Sequence, residues 1–135
     1  MDTIKRLHGK FIALMLFFAS ASTAYGHGDW APKHSGVMND GGELSFELVA
    51  GKRTWTAYVS DHGEPIDISG SSASLTIEKD DGSQVLAGTP RGGTIRFPAF
   101  SLGGVKKLSL RLTRADGSLA FGRFSREAVA KFSLN

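Results

Sequence analysis

The sequence predicts an all-β fold, a single Ig-like β-sandwich or small barrel of about seven short strands. Three observations predict it. Short segments alternate apolar and polar residues with a period of two. Turn signals break the chain roughly every 8 to 12 residues. Beyond the N-terminal segment, no 3.6-residue periodicity of helical length occurs.

The elements follow in order. Ser35-Gly36-Val37-Met38-Asn39-Asp40-Gly41-Gly42 is a turn-rich entry. In Glu43–Val49, Leu44, Phe46 and Leu48 alternate with Glu43, Ser45 and Glu47, which predicts a half-buried strand. Arg53–Ser60 is rich in β-branched and aromatic residues, a second strand. Asp61-His62-Gly63-Glu64-Pro65 reads as a loop, and Pro65 limits Ile66-Asp67-Ile68 to a short edge piece. Ser74–Lys79 alternates, Asp80-Asp81-Gly82-Ser83 is a hairpin signal, and Gln84–Ala87 returns. Pro90–Gly93 reads as a turn, and Thr94–Phe97 as a strand ended by Pro98. Lys107–Thr113 sets three leucines on one face, and Arg114–Ser118 turns into Leu119–Phe124, where Gly122 suggests a bulge. Glu127–Phe132 fits one helical turn or a last strand.

The start of the chain has a different character. Lys5, Arg6 and Lys10 precede an uncharged apolar run, Phe11–Ala19, and the small-residue stretch Ser20–Gly26. That order is a bacterial-type secretory signal. The apolar run is well short of the roughly 20 residues a bilayer span needs. The expected organisation is a signal over 1–26, a histidine-containing arm over 27–42 and one β domain over 43–135, located in the periplasm. Removing Lys5, Arg6, Lys10 and Asp2 from 16 basic and 13 acidic residues leaves 13 and 12, so the mature chain is nearly neutral. Its basic residues are scattered, which gives no footprint for nucleic acid or an anionic membrane. No stable membrane insertion is expected once the signal is removed. With no cysteine there are no disulfides, thiolate metal sites or cysteine nucleophiles.

The chemistry concentrates in His27–Met38. His27, His34 and His62 are the histidines beyond the signal, and Met38 is the one methionine there. Copper and nickel accept imidazole nitrogen, and thioether sulfur favours Cu(I). The candidate metal ligands are therefore His27, His34, His62 and Met38, with Asp29 and Asp61 as oxygen donors. Cleavage after Ala21, Ala24 or Gly26 satisfies the small-residue rule. A cut after Gly26 makes the amine and imidazole of His27 a chelating pair. A cut after Ala24 leaves Tyr25-Gly26-His27, which suits square-planar Cu(II) or Ni(II). The plainer reading makes His27 and His34 solvated arm residues, His62 a loop histidine and Met38 a core filler. No serine lies in a Gly-x-Ser-x-Gly turn, and no glycine pair precedes a helix as a phosphate loop requires. No catalytic residue is assigned, and the chain is not expected to be an enzyme.

Four stretches carry a likeness: His27-Gly28 followed by Pro32-Lys33-His34-Ser35-Gly36-Val37; a strand ending Glu47-Leu48-Val49; Ala57-Tyr58-Val59-Ser60-Asp61-His62-Gly63-Glu64-Pro65-Ile66-Asp67; and Gly70-Ser71-Ser72-Ala73. Together they resemble small periplasmic proteins associated with heavy-metal efflux systems, and the β-rich segment of the periplasmic adaptor subunits of those pumps. The likeness covers roughly residues 27 to 80, and Ser35-Gly36 stands where that pattern has Gly-Gly. The histidine start is also similar to small periplasmic copper-resistance β-sandwiches. The resemblance implies His27, His34 and His62 as ligands, with Asp61 in support. It implies a copper ion or another divalent heavy metal as cofactor, and an efflux-pump adaptor as partner. The expected function is an exported metal-binding accessory protein that buffers the ion or delivers it to an efflux system. The alternative is a non-metal Ig-like interaction module of the cell envelope, docking by an edge strand.

Overall fold

The structure, a computed structural model, describes residues 30–134. The expected signal, His27 and Asp29 lie outside the described residues. The described chain is all-β, a curled antiparallel sheet with one short helix near its end. Ten strands form: β1 (Val37–Met38), β2 (Gly41–Gly42), β3 (Ser45–Val49), β4 (Thr54–Asp61), β5 (Glu64–Pro65), β6 (Ser72–Lys79), β7 (Gly82–Arg91), β8 (Thr94–Pro98), β9 (Val105–Thr113) and β10 (Leu119–Phe124). The helix α1 (Arg126–Lys131) and a 3-10 turn (Phe132–Leu134) follow. No described helix is long and apolar enough to cross a membrane.

The pairing order is β1-β3-β4-β8-β7-β6-β9-β10-β2, with β5 added beside β4. The two end strands are neighbours in sequence. β1 pairs with β3 through Val37 opposite Leu48, and β2 pairs with β10 through Gly42 opposite Gly122. Residues 37–42 thus run from one end of the sheet to the other. Asn39 and Asp40 make the crossing. The Asn39 amide donates to Phe46 O at 3.1 Å, and the Asp40 amide donates to Arg123 O at 2.9 Å. The buried Asn39 side chain accepts from Phe46 N at 2.8 Å and donates to Leu44 O at 2.9 Å. Both functions of the amide are satisfied, as burial demands.

Alternation places the core. Leu108, Leu110 and Leu112 point inward from β9, beside Ile77, Leu75 and Ala73 of β6 and Phe124, Gly122 and Ala120 of β10. Phe46, Leu48, Ala57, Val59, Ile95 and Phe97 complete it from β3, β4 and β8. Gly122 is not a bulge, because β10 pairs with β9 in unbroken register. Its role is space: a methyl there would overlap the Phe46 ring. The register irregularity lies instead between Glu78 and Lys79 on β6.

Two further expectations are corrected, and one open alternative is resolved. Pro90 is not in a turn but in β7, opposite Ile95, and the turn is Gly92-Gly93. The edge piece beside β4 is Glu64–Pro65, not Ile66–Ile68; Ile68 is buried in the core. The chain end is helical. Ser125 caps α1 by accepting from Ala128 N. Six residues are too few to hold a helix alone, and α1 is fixed by burying Ala128 and Val129. Below it Trp55 stacks on Phe100 at 4.2 Å and meets Phe132 at 5.0 Å.

Candidate metal centre

The arm from Trp30 to Gly36 lies across the outer face of β3 and β4, and Glu47 holds it there. Glu47 was read from sequence as a solvent-facing residue of an alternating strand. In the structure β3 is buried on both faces, and Glu47 is only 4% exposed. Its carboxylate accepts from Lys33 N at 2.8 Å, His34 N at 2.7 Å and Gly36 N at 2.8 Å. Burial pushes the Glu47 carboxyl up. The amides of Gly36 and Lys33, the His34 imidazole and the His34 amide more than offset this, leaving it below its ordinary 4.5.

An ionised carboxylate only accepts. The His34 Nδ1 that faces Glu47 Oε1 at 3.0 Å therefore carries the proton and donates. In the neutral ring that leaves the lone pair on Nε2, which has no hydrogen-bond partner among the described residues. The ring lies flat on Tyr58, with centroids 3.6 Å apart and planes 4° from parallel. Its orientation is thus fixed at an edge and a face. The Lys33 ammonium donates to Gly63 O at 2.8 Å, tying the arm to the β4–β5 hairpin. Trp30 covers the same hairpin, its Cζ3 3.0 Å from where a Cβ on Gly63 would stand.

Arm and sheet enclose a pocket of about 260 Å³, lined largely by apolar surface of Trp30, Met38, Tyr58, Val59 and Pro65, with His34 and Glu47 at its polar side. The geometry also accounts for Ser35-Gly36. Ser35 has φ 57°, a conformation glycine adopts without strain, so a glycine pair suits this turn. Gly36 has no room for a side chain: a methyl would stand 2.7 Å from Leu48 O.

The other predicted residues are placed differently. His62 and Gly63, with φ 48° and 82°, are the two central residues of a tight hairpin joining Asp61 to Glu64. Positive φ at both centres is the primed turn that suits strand twist. His62 is therefore a turn residue, largely exposed, with Nδ1 2.7 Å from Asp61 Oδ1. Asp61 and His62 line a second, small pocket with Asn39, Glu43 and Ser45. Trp30 borders both pockets. So the structure brings His34 and Met38 together, brings Asp61 and His62 together, and keeps the pairs in separate pockets. Among the described residues no group of three or more histidine, aspartate or glutamate side chains is arranged to hold a metal ion. His27 lies outside the described residues.

The sequence assigns no site role to Glu47, Lys33 or Tyr58. The available signal was the pair Lys33-His34 ahead of a strand bearing an acidic residue among inward-facing leucines, which alternation alone reads as solvent-facing. No known protein family, curated protein or solved structure matches the chain.

Proposed function

We propose that the protein is an exported, periplasmic metal-binding accessory protein. It binds copper, or a similar soft or borderline divalent ion, and buffers it or hands it to an efflux system whose adaptor subunit is its partner. The observation that carries this reading is His34. Its Nδ1 is committed to a buried carboxylate, its ring is held flat on Tyr58, and its Nε2 has no hydrogen-bond partner among the described residues, in a pocket that Met38 also lines. Metal-binding histidines are commonly oriented by such an outer carboxylate, which fixes the tautomer and raises ligand basicity. An imidazole and a thioether in one apolar pocket suit copper, with the thioether favouring Cu(I). His27, seven positions before His34, is the proposed third ligand. Asp61 and His62, paired at the hairpin, are the proposed outer ligands that receive or pass the ion. The β1–β2 crossing favours the small-barrel form of the fold as the scaffold.

The test is metal titration of the purified protein with Cu(I) and Cu(II) by calorimetry or native mass spectrometry. The expected result is one tightly held ion per chain. Met38→Leu should weaken Cu(I) more than Cu(II). Glu47→Gln should weaken both by about 10- to 100-fold without removing a ligand. A His27→Ala, His34→Ala double variant that bound copper as well as the parent would overturn the reading.

A further inference from the structure

One sheet edge is left open. Gly82–Gly88 of β7 pair with β6 on one side. On the other side β8 pairs only with Thr89–Arg91. From Gly82 to Gly88, then, the outward-facing backbone groups have no backbone partner among the described residues. Residues 82–85 and Ala87 are exposed, Leu86 and Gly88 are half-buried, and Val85, at 63%, is the most exposed large apolar residue described.

Three other edge strands are protected. β1 and β2 are two residues long, and β5 consists of a carboxylate and a proline. Brevity, charge and proline are the usual devices that stop strands from pairing between molecules. Gly82-Ser83-Gln84-Val85-Leu86-Ala87-Gly88 has no charge, no proline and no register irregularity with β6.

We propose that this edge is a self-association surface, on which a second copy of the chain adds its own β7 in antiparallel register about a two-fold axis at Val85. A strand paired antiparallel with itself is self-complementary, as a two-fold interface requires. The register sets Val85 opposite Val85, Ser83 opposite Ala87, and Gln84 opposite Leu86. Val85 gains a β-branched cross-strand neighbour. The half-buried Leu86 gains cover from Gln84 of the second copy. The open stretch is symmetric about Val85, three residues to either side, so this register sets Gly82 opposite Gly88 and fills the edge end to end. A different partner strand would need features that select it, and the uncharged edge offers none. The result is one continuous sheet across two copies.

Sedimentation equilibrium of the purified chain over a concentration series tests this. A monomer–dimer equilibrium is expected. Val85→Lys should weaken it by about tenfold or more, by setting two like charges opposite each other. Val85→Glu should do the same, and mixing the two variants should restore association. Val85 is largely exposed, so circular dichroism and the melting temperature of each variant should match the parent. A parent that stays monomeric throughout overturns the proposal. So does a dimer that both variants leave intact.

Discussion

Glu47 combines near-complete burial with a charge, and this is stable only because its oxygens are saturated with donors. Each of those donors belongs to the arm, so one side chain decides whether residues 33–36 lie down. Glu47→Gln turns an acceptor-only group into one that points N–H at N–H. The expected cost is roughly 1.5–3 kcal/mol, since hydrogen bonds to charged groups are the strong ones. Thermal unfolding checks the cost, and hydrogen exchange at the Lys33, His34 and Gly36 amides checks where it falls. The carboxyl is below its ordinary 4.5 in the folded protein, so it contributes stability above that value. This contribution is lost as pH falls through the folded value. The stability gap between the parent and Glu47→Gln should therefore be full at neutral pH and close in acid. A gap that stayed constant from pH 7 to pH 3 would contradict the assignment.

Among the elements, the β4–β5 hairpin shows how a turn positions a surface. His62 and Gly63 both take positive φ, and Gly63 also accepts from Lys33 and carries Trp30. Gly63→Ala adds a methyl 3.0 Å from the indole in a conformation that costs an L-residue about 1–2 kcal/mol. The expected outcome is a lower melting temperature and a Trp30 more open to a fluorescence quencher, while Trp55 stays buried in its aromatic cluster. His62→Asn, by contrast, should leave stability nearly unchanged, since Asn is at home at positive φ. Elements with clean alternation were legible beforehand: β6, β9 and β10 bury every second residue, and the pattern is visible in Leu75 and Ile77 and in Leu108, Leu110 and Leu112. β7 was half hidden because its first four residues are all exposed and alternation begins only at Val85 and Leu86, and because Pro90 reads as a breaker. At the open side of a strand, proline has no ladder bond to lose. The six residues of α1 carry too little periodicity to declare a helix; tertiary burial of Val129 decides it.

For the whole molecule, the crossing at Asn39 and Asp40 joins what would otherwise be two free sheet ends. Asn39→Ala removes two buried side-chain bonds and strands Phe46 N, so a loss of roughly 2–4 kcal/mol is expected. It should register as weaker amide protection in both β3 and β10 together, although these strands lie at opposite ends of the pairing order. Protection lost in β3 alone would mean that the two ends are held independently. The sequence shows this region only as a run of turn residues, because two-residue strands leave no periodic trace. The candidate site was legible in part for the same reason. Histidine and methionine declare their chemistry by type, whereas the carboxylate that aims His34 declares itself only once the arm has folded over it.

The same crossing has a consequence for the order in which the protein comes into being. Asp40 accepts from Ser125, a residue 85 positions further on, and Gly42 finds its strand partner in Gly122. A ribosome makes residues 37–42 well before β10, so until then they have only one of their two neighbours. Distant pairings of this kind are slow to form. β2 therefore stays without its partner until β10 has been made, although β3 to β9 can already pair with one another.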